Sequence, residues 1–277
     1  MQNLMLNWQS AGAVGAAAFA AAALLRRSGR LAAGLVLRES GTVLGLFAVW
    51  QFAGQLSVMS GDGAMSRAQW IWDTERTLRL PSEYTLQQWV LPHPLLVQTA
   101  NYYYATLHFT VMVGLLAWVF LRHRHAYSWV RTTLVLVTAS SLLVQLVPVA
   151  PPRLLDGTGM VDTAVQYGQS VYATSIDGLQ ADAYSAMPSV HVAWCVLVAV
   201  AVVRISPSRW RWLVIAHPVL TVAVVLVTAN HFWLDGVAGV LLLLLSYLLQ
   251  WGGSRIMASR RMRRAGAEIP EPVSVGV

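Results

Sequence analysis

Two short stretches carry residues able to do phosphoryl chemistry. Ala186-Met187-Pro188-Ser189-Val190-His191 and Asn230-His231-Phe232-Trp233-Leu234-Asp235 each place a histidine where an apolar run meets polar sequence. His231 and Asp235 are four positions apart, which puts both on one face of a helix. A carboxylate so placed accepts the imidazole N–H, fixes the tautomer and leaves the other ring nitrogen free to attack. Asn230 reads as the N-cap of that helix, with His231 in its first turn. The helix N-terminus adds backbone donors and a positive dipole end that favour phosphate. On this reading His231 attacks phosphorus, and His191 protonates the departing alkoxide and later activates water or an alcohol. Pro188 is tolerated in a first helical turn, and Ser189 can donate to a phosphate oxygen. Two other classes use the same residues: His191, His231 and Asp235 as ligands of a transition metal, or a non-catalytic lipid-binding membrane protein.

A third element is Pro151-Pro152-Arg153. A guanidinium there can clamp two phosphate oxygens. Arg153 is one of four arginines, with Arg67, Arg76 and Arg79, that stand apart from the four arginine clusters described below. Asn101, Tyr104 and His108 share a face of one apolar segment by their spacing, and polar groups inside a span are functional candidates for a headgroup pocket. His217-Pro218 marks a bend.

The elements that position these residues are membrane helices. The chain is 56% hydrophobic and only 11% charged, with mean hydropathy +0.55, which excludes an ordinary soluble domain. A span needs about 20 apolar residues. Seven segments meet or approach this: 4–25, 41–60, 95–121, 132–150, 187–203, 212–229 and 234–251. The first is expected to be a retained helix, because its Ala-rich run has no basic residue before it and arginines after it.

No lysine is present, so orientation rests on arginine. Arg26, Arg27, Arg30 and Arg38; Arg122, Arg124 and Arg131; Arg204, Arg209 and Arg211; and Arg255, Arg260, Arg261, Arg263 and Arg264 all fall on one side of seven spans. The positive-inside rule makes that side cytoplasmic, with the C-terminus inside and both histidine motifs outside. The net charge of +7 then reflects topology and anionic headgroups, not nucleic acid. The outward loops carry Asp62, Asp73, Glu75, Glu83, Asp156, Asp162, Asp177 and Asp182.

Three parts are expected: a first helix with a cytoplasmic loop over 1–40, a membrane domain over 41–254 and a basic tail over 255–277. Within the domain, the Trp-rich 61–94 loop reads as short interfacial helices or a cover packed on the bundle. The 151–186 loop is long enough to be a lid or substrate-binding segment. Cys195, the lone cysteine, lies in a span and forms no intrachain disulfide.

Together these pieces resemble the type 2 phosphatidic acid phosphatase superfamily, with its Arg-containing element, P-S-G-H and S-R-x5-H-x3-D. They are more similar to the branch that includes fungal inositol phosphorylceramide synthase, with P-P-R, A-M-P-S-x-H and N-H-[FY]-x-x-D. The resemblance runs in span order from about residue 41 to 251. It implies an all-α integral membrane protein of about seven transmembrane helices, six of them forming the phosphatase-like core. It implies His231 as nucleophile, Asp235 as its orienting partner, His191 as general acid and base, and Arg153 and Ser189 on the phosphate, with no metal or cofactor. Substrates would be phospholipids or polyprenyl phosphates, with a ceramide or diacylglycerol hydroxyl as a possible acceptor. Val190 replaces the usual glycine, Val224 and Val225 stand where Ser-Arg would, and Leu146 replaces an expected lysine. The thinner positive cradle favours the transferase branch over a lipid or polyprenyl phosphatase, and leaves room for Arg76 or Arg79 to fold over the phosphate.

Overall fold

The computed structural model describes residues 7–58, 63–167, 169 and 184–267. Asp62, the middle of the 151–186 loop with Asp177 and Asp182, and the tail from 268 onward lie outside the described residues. Eleven α-helices follow one another: α1 (Trp8–Arg27), α2 (Leu31–Val58), α3 (Ala64–Thr77), α4 (Glu83–Val90), α5 (Pro94–Tyr102), α6 (His108–Arg122), α7 (Arg124–Gln145), α8 (Thr163–Gln166), α9 (Val190–Ile205), α10 (Ala216–Val227) and α11 (Trp233–Ala267). A π-helical turn, Tyr103–Leu107, joins α5 to α6, and a 3-10 segment, Arg209–Ile215, leads into α10. Among the described residues, six segments are long and apolar enough to cross a membrane, and the apolar helix α9 is shorter. The described residues form an all-α membrane protein.

Three expected boundaries move. The segment 26–40 is not a loop: α1 turns at Ser28-Gly29-Arg30, with Gly29 at φ +78°, directly into α2. The two helices pack closely because Gly15 and Gly41 face each other; a Cβ on Gly41 would lie 3.0 Å from the Gly15 carbonyl oxygen. Arg131 likewise sits inside α7, not before it. Its Nη1 donates to Glu39 of α2 at 2.6 Å, where Arg38 and the Tyr127 hydroxyl also donate. A carboxylate inside a span is costly unless paired, so this cluster docks the α1–α2 hairpin on α7. The 132–150 span is displaced toward the N-terminus, because Pro148 and Pro151 end the helical run; residue 149 instead bridges to Ser185.

The core lies among α6, α7, α9 and α11, built on Met112, Leu115, Val130, Val137, Leu197, Val198 and Leu243. Lipid tails are as apolar as these side chains, so close packing decides helix association. Gly239 of α11 shows it: a Cβ there would stand 2.5 Å from the Ser189 carbonyl oxygen at the start of α9. This approach sets the starts of α9 and α11, where the two histidines stand, side by side.

Within the 61–94 region, the described residues from 63 on form short helices that pack on the bundle. Helix α3 turns Ala64, Ala68, Ile71 and Glu75 onto the bundle, one residue per turn. Trp70 and Trp89 remain on the outer surface, 67% and 70% exposed, as interfacial anchors would be.

Candidate active site

The start of α11 differs from the capping expected of it. Asn230 is not the N-cap, and His231 precedes the helix. Ala229, at φ +51°, reverses the chain out of α10 and turns Asn230 and His231 into the bundle. Phe232 takes the cap position: its N–H donates to Asp235 Oδ2 at 2.8 Å, the reach-back half of a capping box. Pro188 also lies before its helix, after a cis Met187-Pro188 bond, and Ser189 is the N-cap of α9, accepting from the Val192 N–H.

These ends converge. His231 Nδ1 lies 2.7 Å from the Ala186 carbonyl oxygen and 3.4 Å from Asp235 Oδ2. A carbonyl only accepts, so Nδ1 carries the proton and Nε2 of the neutral ring keeps its lone pair. That Nε2 faces His191 Nδ1 at 3.4 Å. The Ser189 N–H donates to the Asp235 carbonyl oxygen at 2.9 Å, tying the two motifs by main chain as well. His231 is only 4% exposed, and Asp235 and Ser189 are fully buried. An imidazole lone pair, a second imidazole within reach and a helix N-terminus are what a phosphohistidine cycle requires.

Of the expected pocket residues, the structure gathers some and disperses others. Tyr104 stacks on His191 with ring centroids 4.4 Å apart, and the His108 ring lies tilted against His191 at 4.1 Å. The π-helical turn between α5 and α6 breaks the register that spacing alone suggested. Asn101 therefore faces away, holding Thr163 and Gln169 through its side-chain amide. Tyr103 turns to the Nδ1 of His217 and to Thr221. The recess beside His191, lined by Tyr103, Tyr104, His108, Thr221, Val224 and Val225, leaves no room even for a water molecule, so no headgroup-sized cavity stands preformed here.

Arg153 sits in a 3-10 turn, Pro152–Leu154, and is buried. Its Nε donates to Asp162 Oδ2 at 2.9 Å and its Nη1 donates to Asn230 Oδ1, beside His231. Its backbone N–H donates to the Ala229 carbonyl oxygen. Arg153 thus reaches the site by way of Asn230. Arg76 and Arg79 do not fold over it. Arg76 pairs with Glu83 at 3.0 Å and stacks on Trp72, and Arg79 is exposed at φ +57°. Of the positions that depart from the superfamily pattern, Val225 packs in a buried cluster with Val192 and Leu226, and Leu146 is exposed.

Sequence reasoning missed three partners: the Ala186 carbonyl, Asn230 as the Arg153 acceptor, and Glu75, whose Oε1 accepts the Leu234 N–H at 2.8 Å. Only Asn230, adjacent to His231, left a signal in the sequence. Among the described residues, no group of three or more His, Cys, Asp or Glu side chains is arranged to hold a metal ion.

A family model described as the PAP2 superfamily matches residues 69–249. That stretch runs from α3 into α11 and takes in every residue of the two histidine motifs and Arg153. No match was found among curated proteins or among solved structures.

Proposed function

This chain belongs to the PAP2 superfamily, and we propose that it moves phosphoryl groups on lipid phosphates through a phosphohistidine at His231. The observation that carries this reading is the facing pair: Nδ1 of His231 engaged by Ala186 O, and Nε2 turned to His191. In the first step Nε2 attacks phosphorus, the bond to the leaving oxygen breaks, and that oxygen takes a proton from His191. In the second, His191 removes a proton from an incoming hydroxyl, whose oxygen attacks phosphorus and frees Nε2. The Nε2–Nδ1 gap of 3.4 Å is itself only a near-attack distance, so a phosphorus entering the site must part the two rings. Arg153 and Ser189 are assigned to the phosphate oxygens, Tyr104 and His108 to the orientation of His191.

The preferred version is a headgroup transferase resembling inositol phosphorylceramide synthase. There the phosphoryl group keeps its headgroup and passes to a lipid hydroxyl. Two features support transfer over hydrolysis: the A-M-P-S-x-H form of the motif, with Val190 for glycine, and the seclusion of His231 from water. His231 is packed among Ala186, His191 and Asp235 and is only 4% exposed. Water exclusion protects a reactive phosphohistidine from hydrolysis. By the arginine distribution, the site opens on the extracytoplasmic side and the C-terminus is cytoplasmic.

Purified protein incubated with labelled phospholipids and a diacylglycerol or ceramide, followed by mass spectrometry of the lipids, tests the reading. New phosphodiesters identify a transferase, and free phosphate or dephosphorylated lipid identifies a phosphatase. Binding of lipid without any turnover, unchanged by His231→Ala, refutes both.

A further inference from the structure

We propose that the α3–α4 hairpin is a proton-locked clamp on the start of α11, with Glu75 as the positioning residue that keeps His231 and Asp235 in place. The proposal rests on the reading of His231 and Asp235 given above and assigns Glu75 no contact with substrate.

The hairpin grips both halves of the site. At its far end, fully buried Glu75 accepts the Leu234 N–H at 2.8 Å, and the Pro81 carbonyl accepts from Trp233 Nε1 at 2.8 Å. Leu234 lies one residue before Asp235, and its N–H is one of the helix-start donors that no residue within α11 satisfies. At its near end, Arg67 Nε donates to the Pro148 carbonyl at 2.6 Å, and the Ala64 carbonyl accepts the Ala150 N–H. Between them, Val149 donates its N–H to the Tyr184 carbonyl and accepts from the N–H of Ala186, the residue whose carbonyl accepts the His231 Nδ1–H. One short hairpin therefore braces the helix start on one side and the His231 acceptor on the other.

The lock is a carboxyl pair. Glu75 and Glu83 are both fully buried, and Glu75 Oε2 and Glu83 Oε1 have no hydrogen-bond partner as carboxylates. A carboxylate oxygen only accepts, so two acceptors brought together are both satisfied when one proton lies between them. One cation, Arg76, faces the pair, 3.0 Å from Glu83 and 3.7 Å from Glu75. Asp235 adds a negative charge from α11. With one proton shared, Arg76 balances the pair; with none, an excess buried negative charge faces Asp235. Burial first, and Glu83 second, push the Glu75 carboxyl up to about 9. Its folded value lies above its unfolded one, so the hold is complete at low pH and is lost as pH rises through about 9.

The test compares Glu75→Ala, Glu75→Gln and Glu83→Gln by hydrogen exchange of the 231–236 amides and by steady-state kinetics on a lipid phosphate. Losing the Glu75 acceptor should speed exchange at Leu234 about tenfold and lower kcat by a similar factor, with KM little changed. Glu75→Gln keeps the acceptor and mimics the proton, so it should exchange and turn over like wild type at neutral pH. Wild type should loosen reversibly above about pH 9, whereas neither Gln variant can carry two charges and both should stay closed. Wild-type exchange and kcat in Glu75→Ala would overturn the clamp. So would a Glu75→Gln as impaired as the alanine, or Gln variants that open at the wild-type pH. Should the alanine variant not fold, the two Gln variants decide the matter by themselves. Exchange needs no substrate, so an absence of lipid turnover in wild type would sink the proposed reaction while leaving the clamp to stand or fall on its own measurement.

Discussion

The Nδ1 of His231 lies nearer to the carbonyl oxygen of Ala186, at 2.7 Å, than to the carboxylate of Asp235, at 3.4 Å. Main chain thus sets the tautomer, and Asp235 is engaged first by the Phe232 N–H at 2.8 Å. In a serine-protease triad, where the aspartate alone fixes the tautomer, its replacement by asparagine costs about 10⁴ in kcat. Asp235→Asn should cost far less here, about 10- to 100-fold, because the Ala186 carbonyl still accepts the Nδ1–H and the amide oxygen still caps Phe232. Asp235→Ala, which uncaps the helix as well, should be worse. Single-turnover kinetics of both variants check this, and a loss near 10⁴ for the asparagine variant would return the tautomer to Asp235.

The two histidines should separate by step. His231→Ala should abolish both turnover and the phosphoenzyme, since it removes the nitrogen assigned to attack phosphorus. His191→Ala should lower turnover of lipid substrates by about 10²- to 10⁴-fold, the usual worth of a positioned acid or base. It should still accumulate phosphoenzyme from an aryl phosphate, whose leaving group needs no proton. Rapid quench with labelled aryl phosphate distinguishes these outcomes, and equal labelling of the His231→Ala protein would remove it from the chemistry.

The membrane helices are legible because lipid demands long apolar segments, and the histidine motifs because each stands where an apolar run meets polar sequence. What escaped was set by neighbours distant in sequence. The Asn101 side chain needed the π-helical turn at Tyr103–Leu107 to face Thr163, and no residue in that turn announces it. The Ala186 acceptor is a backbone group, silent in any reading of side-chain types. Glu75 and Glu83 counted only as charges on an outward loop, because burial of two acids against one arginine depends on how α3 and α4 fold back onto α11. Asn230 differs from its expected capping role for a similar reason: its amide caps no helix but bridges Arg153 and Thr228.

Arg153 binds Asp162 through Nε and Asn230 through Nη1, two directions that a planar guanidinium serves at once. Lysine keeps the charge but offers a single ammonium, so it cannot hold both. Arg153→Lys should therefore lose about 10- to 100-fold in kcat/KM, approaching Arg153→Ala, rather than being rescued by its charge. Activity in Arg153→Lys near that of wild type would show that charge alone suffices and that the bridge to Asn230 is dispensable.

Gly239 offers the sharpest packing test, because its neighbour is backbone and cannot swing aside. A Cβ at 2.5 Å from the Ser189 carbonyl oxygen requires α9 to move away from α11. The displaced segment carries Ser189 and His191, whose relation to His231 is measured in tenths of an ångström. Gly239→Ala should thus cost about 1–3 kcal/mol of stability, as overpacking does, together with most of the activity. Gly45, in the middle of α2, is a matched control: nothing lies within 4 Å of its added Cβ. Gly45→Ala should be neutral or stabilise by about 0.5–1 kcal/mol, through the better helix propensity of alanine. Thermal unfolding in detergent and turnover, measured on both variants, separate a specific helix approach from a general intolerance of alanine in this bundle. Equal behaviour of the two would mean that the α9–α11 contact does not set the distance between the histidines.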